Sequence, residues 1–282
     1  MKKIILLLGI LFVASTTAQA ACDYNCVAPY DLNGKFRTFV GAVSGVNTIV
    51  ENVAEGMLTK EVFKVASADD LKVDLKSRSA KDLKNGIFKS FELSGKNVLV
   101  NDIHLVSLNL KTLCDFNYVR PVDNDVVFVE DMPMSFDVVM DQDSINKSLT
   151  HPRYRQAIAD FNKIAASYAL GFRVNSTKVA IKANKFYFIV GMNIPHVRKE
   201  QKVVFESDLR VKNGKFDLSQ TKLVSGKLRL DVKKIDFLIN YLNPLEYSVK
   251  FLDGRNAKVN VKNLEINENV LYADGIVIIP KN

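Results

Sequence analysis

The chain has 282 residues and a mass of 31.6 kDa, with 48% hydrophobic and 25% charged residues, enough to bury a large core in one elongated domain or two small ones; wholesale disorder is excluded. Glycine (13), proline (7) and the lack of any low-complexity tract exclude collagen-like, mucin-like and linker-dominated chains. The formal charge of +8 comes from interspersed basic and acidic side chains, without a basic helix, zinc-finger spacing or aromatic-basic module, so no nucleic-acid partner is expected.

Residues 1–20 read MKKIILLLGILFVASTTAQA: two lysines, an apolar run from Ile4 to Ala14, and a small-residue end with Ala18 and Ala20 at the positions a signal peptidase reads. A membrane-spanning helix needs roughly 17–25 apolar residues, longer than this run. The expectation is therefore a signal peptide over 1–20, an N-terminal segment over 21–34 and a single elongated domain over 35–282, exported to the periplasm or outer envelope. Loss of Lys2 and Lys3 leaves 37 basic and 31 acidic side chains, a net +6.

In an oxidising compartment Cys22 and Cys26 can pair and leave Cys114 free, or Cys26 can pair with Cys114 if Cys22 carries lipid. Lipoprotein anchoring at Cys22 is the minor alternative, because Gln19, Ala20 and Ala21 lack the leucine-like residue of a lipoprotein signal. Cys22 and Cys26 are also one residue too far apart for a thioredoxin-like redox pair.

Residues 35–66 carry Phe39, Val43, Val46, Val50, Val53 and Met57 at alternating steps of four and three, the apolar stripe of a long helix. Gly41, Gly45 and Gly56 weaken its propensity, so burial against a sheet is expected to hold it. The period then falls to two, with Leu71, Val73 and Leu75 alternating with Lys72, Asp74 and Lys76. A helical turn follows around Ala80 to Gly86, then strands over 88–93 and 97–113. In the second, Ile103 and Leu105 give way to Val106, Leu108 and Leu110, a change of phase that predicts a bulge or bend.

Further strands are expected at 126–129 and 135–140, a short helix at 143–149, and a second helix capped by Thr150 with Pro152 in its first turn, carrying Ala157, Ile158, Phe161 and Ile164. Strands at 173–182, 186–194, 202–211 and 215–223 follow, with Asn213-Gly214 as a hairpin signal. A last helix over 233–242, ended by Asn243-Pro244, precedes strands at 245–252, 257–266 and 270–279. The fold class is α+β: a long, highly curved antiparallel sheet wrapped around a long N-terminal helix, with short additional helices.

Reaction chemistry is hard to find. His104, His151 and His196 stand isolated, with no second ligand at a metal-binding interval, so neither a metal nor a cofactor is expected. There is no GxSxG elbow or phosphate loop, and the acidic pairs Asp69/Asp70, Asp123/Asp125 and Asp141/Asp143 do not extend into a calcium loop. No catalytic residue is assigned.

The stretch from Leu71 to Leu113, with its Leu83-Lys84-Asn85-Gly86 turn, resembles the front half of the LmeA-type phospholipid-binding proteins. Ile239 to Lys281, in which an asparagine-proline pair ends a helix and strands follow, is similar to their closing unit; with Ser144 to Ile158 the likeness spans roughly residues 45–281 in order. The N-terminal cysteines and Cys114 depart from the pattern. The resemblance implies an envelope protein, similar in layout to tubular lipid-binding domains, that holds phospholipid in an elongated apolar cavity without catalysis.

The lining residues expected on this basis are Val46, Val50, Val53 and Met57 on the first helix and Val106, Leu108 and Leu110 on a facing strand. Lys72, Lys76, Lys89, Lys178, Lys182 and Lys185 are the candidate headgroup contacts. The expected function is non-catalytic binding, and transport, of phospholipid or a related amphiphile, with peripheral contact to an anionic membrane. The competing classes are an envelope structural or protein-interaction domain with a closed core, and an envelope hydrolase that would need Asp141, Asp143 and His151 at one rim.

Overall fold

The computed structural model describes residue 26 and residues 66–100, 102–122, 125–168, 171–225, 237–239, 241–245 and 257–281. The helix expected over 35–66 lies outside the described residues, apart from Ala66, which is in a strand. Most of the strand expected over 245–252 also lies outside them.

Among the described residues the protein is α+β and rich in antiparallel strands. The first sheet contains β1 (Ala66–Ser67), β2 (Lys72–Lys76), β4 (Ser90–Val100), β5 (Ile103–Thr112), β8 (Met132–Asp141), β13 (Lys258–Asn267) and β14 (Val270–Ile279). Their order is β1-β4-β5-β8-β14-β13, with β2 also pairing with β4. Alternation decides its faces. Phe136, Val138 and Met140 of β8 point into the core with 1%, 2% and 1% exposure, beside Leu271, Ala273 and Val277 of β14. Gly275 lies opposite Phe136, and a Cβ there would press on that ring and on the Asn260 carbonyl, so glycine permits the close approach.

The phase change in β5 is real, but no bulge causes it. Lys96 pairs with Ser107 and Val98 with Leu105 in unbroken register, while Asn97 between them turns to φ 47°. Buried positions step from Gly95 to Val98 on β4 and from Leu105 to Leu108 on β5, so both strands change face together. The strand expected from Asn97 instead belongs to β4, which ends at Val100; β5 runs back antiparallel from Ile103, and Asp102 just before it has φ 70°.

On the outer face of this sheet Asp137 and Asp274 stand directly opposite one another. Burial, and then the Asp274 carboxylate, push the Asp137 carboxyl above its ordinary value. A folded-state acid that binds its proton more tightly than the unfolded one gains stability as pH falls through its raised pKa and forfeits it at neutral pH. Asp137→Asn is therefore expected to raise stability at pH 7 by a few tenths of a kcal/mol, screening limiting the size, and to flatten the pH dependence just above the ordinary carboxylate range. Urea unfolding of both proteins at pH 4 and pH 7 checks this; equal curves at pH 7 would refute it.

The second sheet is a meander of β9 (Arg173–Lys182), β10 (Lys185–Asn193), β11 (Gln201–Lys212) and β12 (Lys215–Ser225). Asn213-Gly214 forms the expected tight turn at φ 53° and 70°, and Ala183-Asn184 adopts the same left-handed pair at φ 50° and 57° without glycine. Phe186, Phe188, Val190, Val203 and Phe205 fill its inner face, which joins the first sheet's inner face in one continuous core.

Two helices connect the sheets. Asp141 caps α2 (Gln142–Ser148) through a reciprocal pair with Ser144. The N-cap of α3 (Pro152–Ser167) is His151, not the expected Thr150, whose hydroxyl donates to the Lys147 carbonyl. Side-chain amides from these helices close the free edge of β9. Asn146 exchanges two 2.8 Å hydrogen bonds with the Val179 backbone, Asn162 exchanges two of 2.8 Å with Val174, and Gln142 accepts from the Ile181 N–H at 3.1 Å. Each of the two asparagines supplies the donor and acceptor of a missing strand.

A small third sheet of β3 (Ile87–Phe88), β6 (Asn117–Val122) and β7 (Asp125–Phe128) is held to α1 (Ala80–Lys84) by Gly86, at φ 77°. The Gly86 carbonyl accepts from the Val119 N–H at 2.9 Å, and a Cβ would collide with the Val119 carbonyl. Beside this sheet Cys26 is disulfide-bonded to Cys114, which settles the sequence alternatives for these two residues. Of the helix expected over 233–242, 237–239 and 241 are helical, and Leu238 and Leu242 are buried.

Candidate functional site

Val46, Val50, Val53 and Met57 lie outside the described residues. On β5, Leu108 is buried, Leu110 is half-buried against the core and Val106 is half-buried. The six lysines divide between the sheets. Lys72, Lys76 and Lys89 sit by β2 and the start of β4, with Lys76 3.1 Å from Asp74. Lys178, Lys182 and Lys185 lie along the β9–β10 hairpin, where Lys185 donates to Asp208 at 2.6 Å and is held protonated by that bond.

A different basic pair flanks a concavity. An open cleft of about 580 Å³ lies between the C-terminal end of α3 and the β10–β11 connection. Ala165, Phe172, Ile194, Pro195 and Val197 give it apolar walls, and Arg173 and Arg198 are its cations. Among the described residues neither guanidinium has a carboxylate partner. Val197 is 44% exposed and Tyr168, just past α3, 72% exposed. Behind the helix end Phe161 stacks at 5.5 Å on Phe237 and 6.4 Å on Phe172, so the wall bearing Phe172 is braced by the aromatic core. Such a cleft can receive an apolar chain while pairing its anionic end with two planar, permanently charged donors. Sequence reasoning passed over both arginines because the whole β9–β10 hairpin separates Arg173 from Arg198, and only folding, not any motif, brings them to one cleft.

The hydrolase arrangement is not formed. Asp141 is engaged in capping α2, and among the described residues no contact joins Asp141 or Asp143 to His151. His151 instead meets Asp102 through Nδ1 at 3.2 Å, and its Nε2 lies 3.1 Å from His104 Nε2. Arg153 approaches the other Asp102 oxygen at 3.6 Å. Burial, then the His151 ring and the Lys147 ammonium, hold His104 below its ordinary pKa against the pull of Asp102. The two histidines are 47 residues apart, and no interval in the sequence announces their meeting. His196, the third, sits in an exposed turn at φ 68°.

Among the described residues no group of three or more His, Cys, Asp or Glu side chains is placed to hold a metal ion, and no helix is long and apolar enough to cross a membrane. No family model matches the chain, and neither a curated protein nor a solved structure matches it.

Proposed function

We propose that this is an exported, non-catalytic protein that binds phospholipid or a related anionic amphiphile in the cell envelope, akin to the LmeA-type proteins. In this reading a long N-terminal helix packs against the curved first sheet, and the arginine-flanked cleft receives the ligand. One observation carries it: a cleft of about 580 Å³ that combines apolar side chains with two guanidiniums that have no carboxylate partner among the described residues. Each methylene withdrawn from water contributes about 0.8 kcal/mol, and each arginine near an anionic surface about 1 kcal/mol. The signal-peptide pattern and the Cys26–Cys114 bond support an oxidising compartment.

The test is co-sedimentation with vesicles of phosphatidylcholine alone and with phosphatidylglycerol added, at low and high salt. Wild type is expected to prefer the anionic vesicles, and Arg173→Ala/Arg198→Ala to lose roughly 10- to 30-fold of that binding at low salt. Equal binding to both vesicle types, or an unchanged double variant, would refute the reading.

A further inference from the structure

We propose that His104 and His151 chelate one divalent transition-metal ion, of which zinc is the test case, through their Nε2 atoms at the junction of β5 and α3. The two atoms are 3.1 Å apart. Two imidazole nitrogens bound to one tetrahedral zinc at 2.0–2.1 Å stand about 3.3 Å from each other, so a small ring movement admits the ion.

The tautomers fit. The Asp102 carboxylate, 3.2 Å from His151 Nδ1, fixes the proton there and turns the Nε2 lone pair toward His104. This carboxylate–histidine pairing is the outer support that metal-binding imidazoles characteristically have. In the metal-free protein His104 Nε2–H donates to His151; on binding, that proton moves to His104 Nδ1, and both Nε2 lone pairs face the ion with no net proton loss. Burial already favours the neutral His104 that coordination requires.

The pair is also anchored at the backbone. Ser148, fully buried, accepts the His104 N–H on its hydroxyl oxygen at 2.8 Å and the His151 N–H on its carbonyl at 3.2 Å. Its own hydroxyl donates to the Ser144 carbonyl at 2.9 Å. One residue thus holds both ligands in place, and their convergence does not depend on flexible loops. Asp102, at φ 70°, is presented by the β4–β5 turn, a conformation that asparagine also tolerates. With two protein ligands, the remaining positions fall to water. The Lys147 and Arg153 cations beside the pair oppose a dication and weaken its binding.

The experiment titrates zinc chloride into the tag-free, disulfide-bonded chain, in wild type and in Cys22→Ser, which removes the odd thiol as a competing ligand. Calorimetry is expected to show one saturable site, with a rise in unfolding temperature that a chelator reverses. His104→Gln and His151→Gln should each weaken binding at least tenfold, Asp102→Asn about 10- to 100-fold, and His196→Gln not at all. Proton NMR provides a test without ligand variants: the ring signals of two of the three histidines should move together on zinc addition, while the His196 signals stay. Absence of saturable binding, ring signals of His104 and His151 that do not respond, or affinity unchanged in folded His104→Gln would overturn the proposal.

Discussion

Reducing the Cys26–Cys114 bond is expected to lower the unfolding free energy by about 4–5 kcal/mol. The bond spans 88 positions of sequence, and closing a loop of that length removes a large share of the unfolded chain's conformational freedom. It fastens an exposed Cys26 to a Cys114 that is 4% exposed at the end of β5, where the Cys114 carbonyl accepts from Asn117 Nδ2 at 2.8 Å. Cys26→Ser is the cleaner variant, since it leaves the buried Cys114 position filled. Denaturant unfolding with and without reductant measures the effect; the m-value should also rise as the unfolded chain expands. A short Cys22–Cys26 loop would contribute only roughly 2 kcal/mol by the same relation and would make Cys114 irrelevant to the response to reductant. If Cys114→Ala remains as sensitive to reductant as wild type, the long-range bond is wrong.

Asn162→Leu is expected to destabilise the protein by about 2–4 kcal/mol. Leucine keeps much of the volume but leaves the N–H and carbonyl of Val174, a residue 1% exposed, without the two bonds that Asn162 makes. Asn162→Asp separates the two halves of the interaction. Its carboxylate can still accept the Val174 N–H, but it faces the Val174 carbonyl with a second acceptor, so it too should lose at least about 1 kcal/mol. Asn146→Leu repeats the test at Val179, also buried. Urea unfolding of the three variants gives the result. Changes of less than about 0.5 kcal/mol throughout would show that water, and not the helix amides, satisfies this edge. Large losses would explain how a four-stranded sheet leaves β9 at its border without exposing a template for pairing with other chains.

The sequence alone determined most of the local structure, because alternation and turn chemistry act over a few residues. Strands 173–182 and 270–279 match their expected limits, and Asn213-Gly214 turns where left-handed dihedrals are cheapest. The apolar period of 135–140 likewise puts Phe136, Val138 and Met140 on one face, and that face is buried. Short signals were weaker where context intervened. Asn97 looked like the start of a strand but is a left-handed residue inside β4, and β6, with Arg120 and Pro121 among its residues, lacked an alternating pattern to announce it.

What only the tertiary structure decided are the meetings of distant residues. The Cys26–Cys114 pairing, the amides of Asn146 and Asn162 along β9, the two arginines about the cleft and the His104–His151 contact all join elements that no periodicity relates. Periodicity reports which face of an element avoids water. It carries no information about which other element supplies the partner, because that choice is made by packing of whole sheets and helices against one another.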